Sequence, residues 1–239
     1  MTSLLSYLHT CFMRSYRYGP STFVFIIGII LFYSVVPNPV MDSYAFTTMF
    51  LFIISAVLCY TFMDMETSSQ ESVTMLHSRS LLKLYFAKLL YIWLFTIPLA
   101  LYAVLFPLLF HKFDRNPSVE ELGFAFLAHA ASSWLGVTLA CWFSSKFIRS
   151  RVMSFLTLSV VIIITISVQG IENRLSESMK NVVVLLPPLN NTIKVLMSFD
   201  SAILFTKVVA IAASLLYGTI LAVLFLFVLH KRKLDSLTS

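Results

Sequence analysis

The stretch Tyr44-Ala45-Phe46-Thr47-Thr48-Met49-Phe50-Leu51-Phe52-Ile53-Ile54-Ser55-Ala56-Val57-Leu58-Cys59-Tyr60-Thr61-Phe62-Met63 runs for twenty residues without a charged side chain. As a helix it is about 30 Å long, the thickness of a bilayer's hydrocarbon core. Five more apolar stretches surround it, at 21–36, 89–110, 122–142, 152–168 and 202–229, and little chain is left over. Hydrophobic residues make up 59 % of the 239 positions and charged residues 12 %, with a mean hydropathy of +0.88. A soluble fold could not bury that much apolar surface. The pattern predicts an all-α polytopic membrane protein with six transmembrane helices in one domain, residues 1–239.

Charge placement orients the spans. With both termini inside, the inner segments carry Arg14, Arg17, Arg79, Lys83, Lys88, Lys146, Arg149, Arg151, Lys231, Arg232 and Lys233, against Asp64, Glu66, Glu71 and Asp235. The outer segments carry Lys112, Arg115, Arg174, Lys180, Lys194 and Lys207, against Asp42, Asp114, Glu120, Glu121, Glu172, Glu177 and Asp200. Basic residues gather on the cytoplasmic side, so cytoplasmic termini and a plasma-membrane location are expected. The net charge of +6 is thereby read as a topology signal, with no nucleic-acid partner. The first span lacks a small-x-small cleavage site and is expected to be retained.

Residues 1–20 read as an interfacial helix. Leu4, Leu5, Leu8, Phe12 and Tyr16 form an apolar stripe opposite Ser6, Thr10, Arg14 and Arg17, and Gly19-Pro20 marks a turn into span 1. The longest cytoplasmic connection, 64–88, fits a short amphipathic helix around 70–80. Pro98 and Pro107 are expected to kink span 3. Spans 4 and 6 each carry small residues four apart: Ala128, Ser132, Gly136 and Ala140, then Ala210, Ser214, Gly218 and Ala222. Such ladders let backbones approach, so these two helices are expected to pack tightly. Between Gly170 and 200, two short apolar pieces, 182–186 and 189–199, are interrupted by Pro187-Pro188. They read as a re-entrant outer hairpin before the last span.

Chemical motifs are sparse. No glycine-rich phosphate loop occurs, no His/carboxylate group has metal spacing, and no cofactor or metal is expected on this chain. Carboxylates stay in loops, which argues against a proton-driven carrier with a central acid. His129 is the one histidine deep in a span. Next to Ser132 and Ser133 it reads as a neutral, hydrogen-bonded packing residue, with an intramembrane catalytic role as the alternative. Cys11, Cys59 and Cys141 read as packing residues, and Asn190-Asn191-Thr192 is a weak glycosylation sequon.

The segment Glu71-Ser72-Val73-Thr74-Met75-Leu76-His77-Ser78-Arg79-Ser80-Leu81-Leu82-Lys83-Leu84-Tyr85-Phe86-Ala87-Lys88, with Leu186-Pro187-Pro188-Leu189 and Asn191, resembles the membrane subunit of ABC exporters of the type 2 permease family. The likeness covers nearly the whole chain. It departs from the family pattern in lacking the usual Gly before the segment and the Pro that His77-Ser78 replaces. It implies an N-terminal elbow helix, a coupling helix between spans 2 and 3, and re-entrant helices before span 6. It also implies a separate ABC ATPase that binds ATP and Mg, gripped through Glu71, Thr74, Leu76, Ser78 and Arg79. A second copy or a sister permease would complete the path. Phe25, Phe32, Phe46 and Phe50 would line a mostly apolar route for a hydrophobic or amphipathic peptide, toxin or drug-like cargo. Pro187, Pro188 and Asn191 would form an outer gate. A non-transporting scaffold and a membrane-embedded enzyme are the competing readings.

Overall fold

A computed structural model describes residues 1–78, 80–172 and 186–238. The described residues are helical, apart from turns and one isolated bridge between Asn38 and Phe113. The helices are α1 (Thr2–Ser15), α2 (Gly19–Phe32), α3 (Val40–Met63), α4 (Ser68–Ser78), α5 (Leu81–Leu109), α6 (Val119–Ala140), α7 (Arg151–Glu172), α8 (Leu189–Met197) and α9 (Leu204–Thr238). A single 3-10 turn, Cys141–Phe143, extends α6. Among the described residues five helices are long and apolar enough to cross a membrane, or six if α1 and α2, bent by 79°, count as one broken span. The chain is therefore a helical membrane protein.

Span 1 is shorter than the sequence indicates. Apolar residues run to Val36, but α2 stops at Phe32 and is 14 residues long, about 21 Å at 1.5 Å per residue. The turn before it also falls elsewhere. The chain turns at Tyr16, whose φ of 54° is left-handed, while Gly19-Pro20 already opens α2. Proline suits a first helical turn, where its missing N–H has no partner to lose. The amphipathic stripe of α1 buries Leu8 and Phe12 and leaves Tyr16 76 % exposed. Phe12 sits edge-on to Phe62, Tyr91 and Phe95, with ring centroids 4.9–6.0 Å away, and so pins α1 onto α3 and α5. Helix α5 runs unbroken across Pro98 and Pro107.

Helix α6 is the central pillar. In its apolar window 89 % of residues lie inside the bundle, against 22 % for α9. Ser118 and Glu121 form a reciprocal capping box at its start, and Arg115 grips the same carboxylate at 2.9 and 2.5 Å. The small-residue ladders do not face each other. A methyl on Gly136 would lie 2.5 Å from the Phe52 carbonyl oxygen, so the α6 slot receives α3. A methyl on Gly218 would meet Trp134 Cδ1 at 2.8 Å and Thr138 Oγ1 at 3.0 Å, so the α9 slot receives large side chains of α6. Ser214 instead meets the Thr192 hydroxyl of α8 at 3.0 Å. Ser132 is fully buried. The physical reason is size. A backbone-to-backbone approach needs a small residue on one helix only, and α9 spends its gaps on α8 and on an indole.

Candidate functional site

The most polar buried assembly lies where α1, α4 and α5 converge with the turn after the 3-10 segment. Thr67 and Gln70 start α4 by reciprocal capping: Gln70 N–H donates to Thr67 Oγ1 (3.3 Å) and Thr67 N–H to Gln70 Oε1 (3.1 Å). The inner face of α4 presents Glu71 and Thr74. Thr74 donates to Glu66 Oε1 at 2.9 Å, and the Tyr7 hydroxyl of α1 reaches that same oxygen at 3.1 Å. Glu66 Oε2 pairs with Lys88 Nζ of α5 at 2.6 Å, with side chains only 3 % and 1 % exposed. Lys88 also lies 5.1 Å from the centroid of the Tyr85 ring.

Glu71 is held from two sides, by the Tyr85 hydroxyl and the Lys146 ammonium. Burial pushes its carboxyl upward, but the bonds from Lys146 and Tyr85 and the nearby Lys88 charge outweigh burial and leave it below the usual carboxylate range. The Tyr7 phenol is pushed up to about 12. The Thr74 hydrogen bond works against that rise, and burial and the Glu66 charge prevail, so Tyr7 stays a donor. Asp64 closes the assembly by accepting from Ser145 N–H (3.0 Å) and Ser145 Oγ (2.7 Å), while Arg17 donates to its carbonyl at 2.8 Å. One network thus fastens α1, α4, α5 and the 144–146 turn. On the other side of α4, Val73 is 55 % and Leu76 75 % exposed. A groove of about 640 Å³ runs between α1 and α4, walled by Leu4, Tyr7, Val73 and Thr74.

The expected coupling residues therefore divide. Glu71 and Thr74 point inward, and Leu76 points outward. Ser78 donates to the Met75 and Ser80 carbonyls at 3.0 Å, shaping the turn into α5. Arg79 lies outside the described residues. Sequence reasoning did not single out Tyr7, Glu66 or Lys146, and read Lys88 only as the start of span 3. A lysine two turns inside a long apolar helix was the available signal.

The four phenylalanines assigned to a path pack on one another. Phe25 meets Phe50 (centroids 5.3 Å), Phe50 meets Phe46 (6.3 Å), and Phe46 stacks on Phe32 (4.3 Å). They join α2 to α3, with Phe46 39 % exposed at one edge.

At the far end of the bundle, α8 wedges against α3, α6, α7 and α9. Pro187 is buried, Pro188 precedes the helix, and Asn191 is exposed. The sequon residue Asn190 is 7 % exposed, so the folded chain does not offer it to a glycosylating enzyme. Of the two apolar pieces, 189–199 forms α8, while 182–185 lie outside the described residues. Lys207 reaches Glu120 at 2.9 Å and lies 3.4 Å from the centroid of the Phe199 ring, tying α9 to the start of α6.

His129 is fully buried, but its partners are not Ser132 and Ser133. Nδ1 donates to the Ala125 carbonyl at 2.7 Å, leaving Nε2 to accept from the Thr47 hydroxyl at 3.0 Å. The Thr47 and Thr48 hydroxyls of α3 enclose the ring. Among the described residues no three His, Cys, Asp or Glu side chains are placed to hold a metal. Comparisons with protein-family profiles, with curated proteins and with solved structures find no match to this chain.

Proposed function

We propose that this chain is the permease subunit of an ATP-driven exporter of the type 2 ABC kind, working with a separate ATPase that binds ATP and Mg. The observation that carries the reading is the two-sided character of α4. Its inner face is fastened to α1, α5 and the 144–146 turn, whereas its outer face offers Val73 and Leu76. A partner that pushes on α4 would move those elements together, because the Glu66–Lys88 and Glu71–Lys146 pairs leave it little freedom to slide. In this reading α1 is the cytoplasmic elbow, and the bent α1–α2 pair supplies the first of six spans through α2 and the residues that follow it to Val36. Both termini are cytoplasmic, in the cell membrane, and α8 is the re-entrant helix of the outer face. A second copy or a sister permease completes a route for a hydrophobic or amphipathic cargo.

The test uses the tagged full-length chain extracted from its native membrane. An ABC ATPase is expected to co-purify with it in stoichiometric amount. Leu76→Asp with Val73→Asp should abolish that association and leave thermal unfolding unchanged, because both side chains are exposed. Repeated recovery without an ATPase would overturn the proposal, as would full association of the double variant.

A further inference from the structure

A second cleft opens sideways between α5 and α9, near the end of the bundle that carries α4. It holds about 480 Å³ and is walled by Phe86, Val223, Leu226 and Phe227, with Lys83 and His230 at its rim. The two helices touch where the Tyr85 and Phe225 rings meet edge to face, with centroids 5.9 Å apart. Phe86, the next residue on α5, is 45 % exposed, and Val223 and Phe227 of α9 are 60 % and 63 % exposed. Such walls belong in hydrocarbon.

The rim is different. Lys83 and His230 come from separate helices and converge on one opening, and Lys231 follows on the exposed side of α9. Among the described residues no carboxylate lines the cleft. An apolar slot with a cationic lip at a helix end matches one molecule with an acyl chain and a negative headgroup at its end. A choline headgroup would place its own cation against Lys83 and Lys231.

We infer that the α5–α9 cleft is a binding site for an anionic phospholipid. The acyl chain lies along Phe86, Val223 and Phe227, and the phosphate meets Lys83 and His230 at the rim, with Lys231 next along α9. The bound lipid joins the start of α5 to α9 on the flank of the α4 network. The inference does not depend on the exporter proposal.

The experiment uses the purified, delipidated full-length chain in detergent. Phosphatidylglycerol and phosphatidylcholine with the same acyl chains are added, and retained lipid is counted by native mass spectrometry. Each cation near a membrane surface is worth about fivefold in binding an anionic lipid, so phosphatidylglycerol should be retained at least about fivefold over phosphatidylcholine. Lys83→Gln with Lys231→Gln should bring the two lipids to parity. Lys83→Arg with Lys231→Arg should keep the preference, and so should Lys112→Gln at the opposite end. Phe86→Ser with Phe227→Ser should lower retention of both lipids. Parity in the unaltered chain would overturn the inference, as would an undiminished preference in the Lys83/Lys231 glutamine variant. Inorganic phosphate should not displace the retained lipid; displacement at millimolar phosphate would mean that the site takes free anions and would equally overturn it.

Discussion

Breaking the Glu66–Lys88 pair is the sharpest stability test of the α1–α4–α5 network. The side chains are 3 % and 1 % exposed and meet at 2.6 Å, so neither charge has water to fall back on. Removing one partner of a buried pair costs about 3–5 kcal/mol, because the remaining charge stays buried and uncompensated. The two single changes differ in what they leave behind. Lys88→Met leaves Glu66 with two hydroxyl donors, Tyr7 at 3.1 Å and Thr74 at 2.9 Å, which places its cost near the low end, about 3 kcal/mol. Glu66→Gln leaves the Lys88 ammonium with a neutral amide oxygen, the Tyr85 ring at 5.1 Å and the nearby Glu71 charge, and should cost about 3–4 kcal/mol. The double variant removes both charges and strands neither, so it should cost less than either single change, about 2 kcal/mol or below, far short of the sum. The assay is thermal unfolding of the detergent-solubilised chain and the three variants under one condition. At 2–4 °C per kcal/mol for a chain of this size, each single change should lower Tm by roughly 6–16 °C. Additivity of the two single effects within about 0.5 kcal/mol would refute the reasoning.

The remaining predictions concern other parts of the bundle. Gly136→Ala, pressing on the Phe52 carbonyl, should destabilise by about 2 kcal/mol. Gly218→Ala should cost about 1 kcal/mol, since it meets side chains that can shift, and Gly123→Ala, with nothing within 4 Å, should be neutral or stabilising. The same melting series ranks all three. Lys207→Ala loses both the Glu120 contact and the Phe199 ring and should cost about 1–2 kcal/mol. Glu120→Gln, at a carboxylate 67 % exposed, should cost less than about 0.5 kcal/mol. Glu71 predicts an acid limb. Its folded-state carboxyl lies below the ordinary 4.5, so its contribution is full above that value and is lost as pH falls through the lowered one. The groups that face it are Lys146, Tyr85 and Lys88. Protection of the 68–78 amides relative to their intrinsic exchange rate at each pH should therefore fall below about pH 4.5, and Glu71→Gln should remove that acid dependence.

Much of the architecture was legible because lipid imposes a simple rule on sequence. Twenty uncharged residues at 44–63 leave helix as the solution, and α3 extends that stretch by only four residues at its start. The amphipathic helices also carried their own signals: the stripe at Leu8 and Phe12 for α1, and the polar run after Asp64 for α4. Helix partnership was less legible. Gly136 and Gly218 occupy similar ladders, yet one meets α3 and the other a tryptophan of α6, and spacing along one helix does not say what lies across it. The end of α2 was misjudged because Val35 and Val36 prolong the apolar run past Phe32, and hydropathy does not register a turn. The Ser118/Glu121 box at the start of α6 was readable in its S-x-x-E spacing and was missed. The α4 network was hidden for another reason. Tyr7, Glu66, Lys88 and Lys146 lie far apart in the chain and look like ordinary interfacial residues until the fold gathers them.

The enclosure of α6 also bears on how the protein is made. It is the least apolar of the five helices long enough to span, and it carries His129, Ser132, Ser133 and Thr138. Such a segment gains little from lipid on its own. Its groove for Gly136 is built from residues 52–56 of α3, and the threonines that meet His129 are at 47 and 48. During synthesis those residues enter the membrane some eighty positions ahead of their partners. The ribosome thus lays down the receptor before the guest, and α6 can leave the translocation channel by joining α3 rather than by dissolving in lipid.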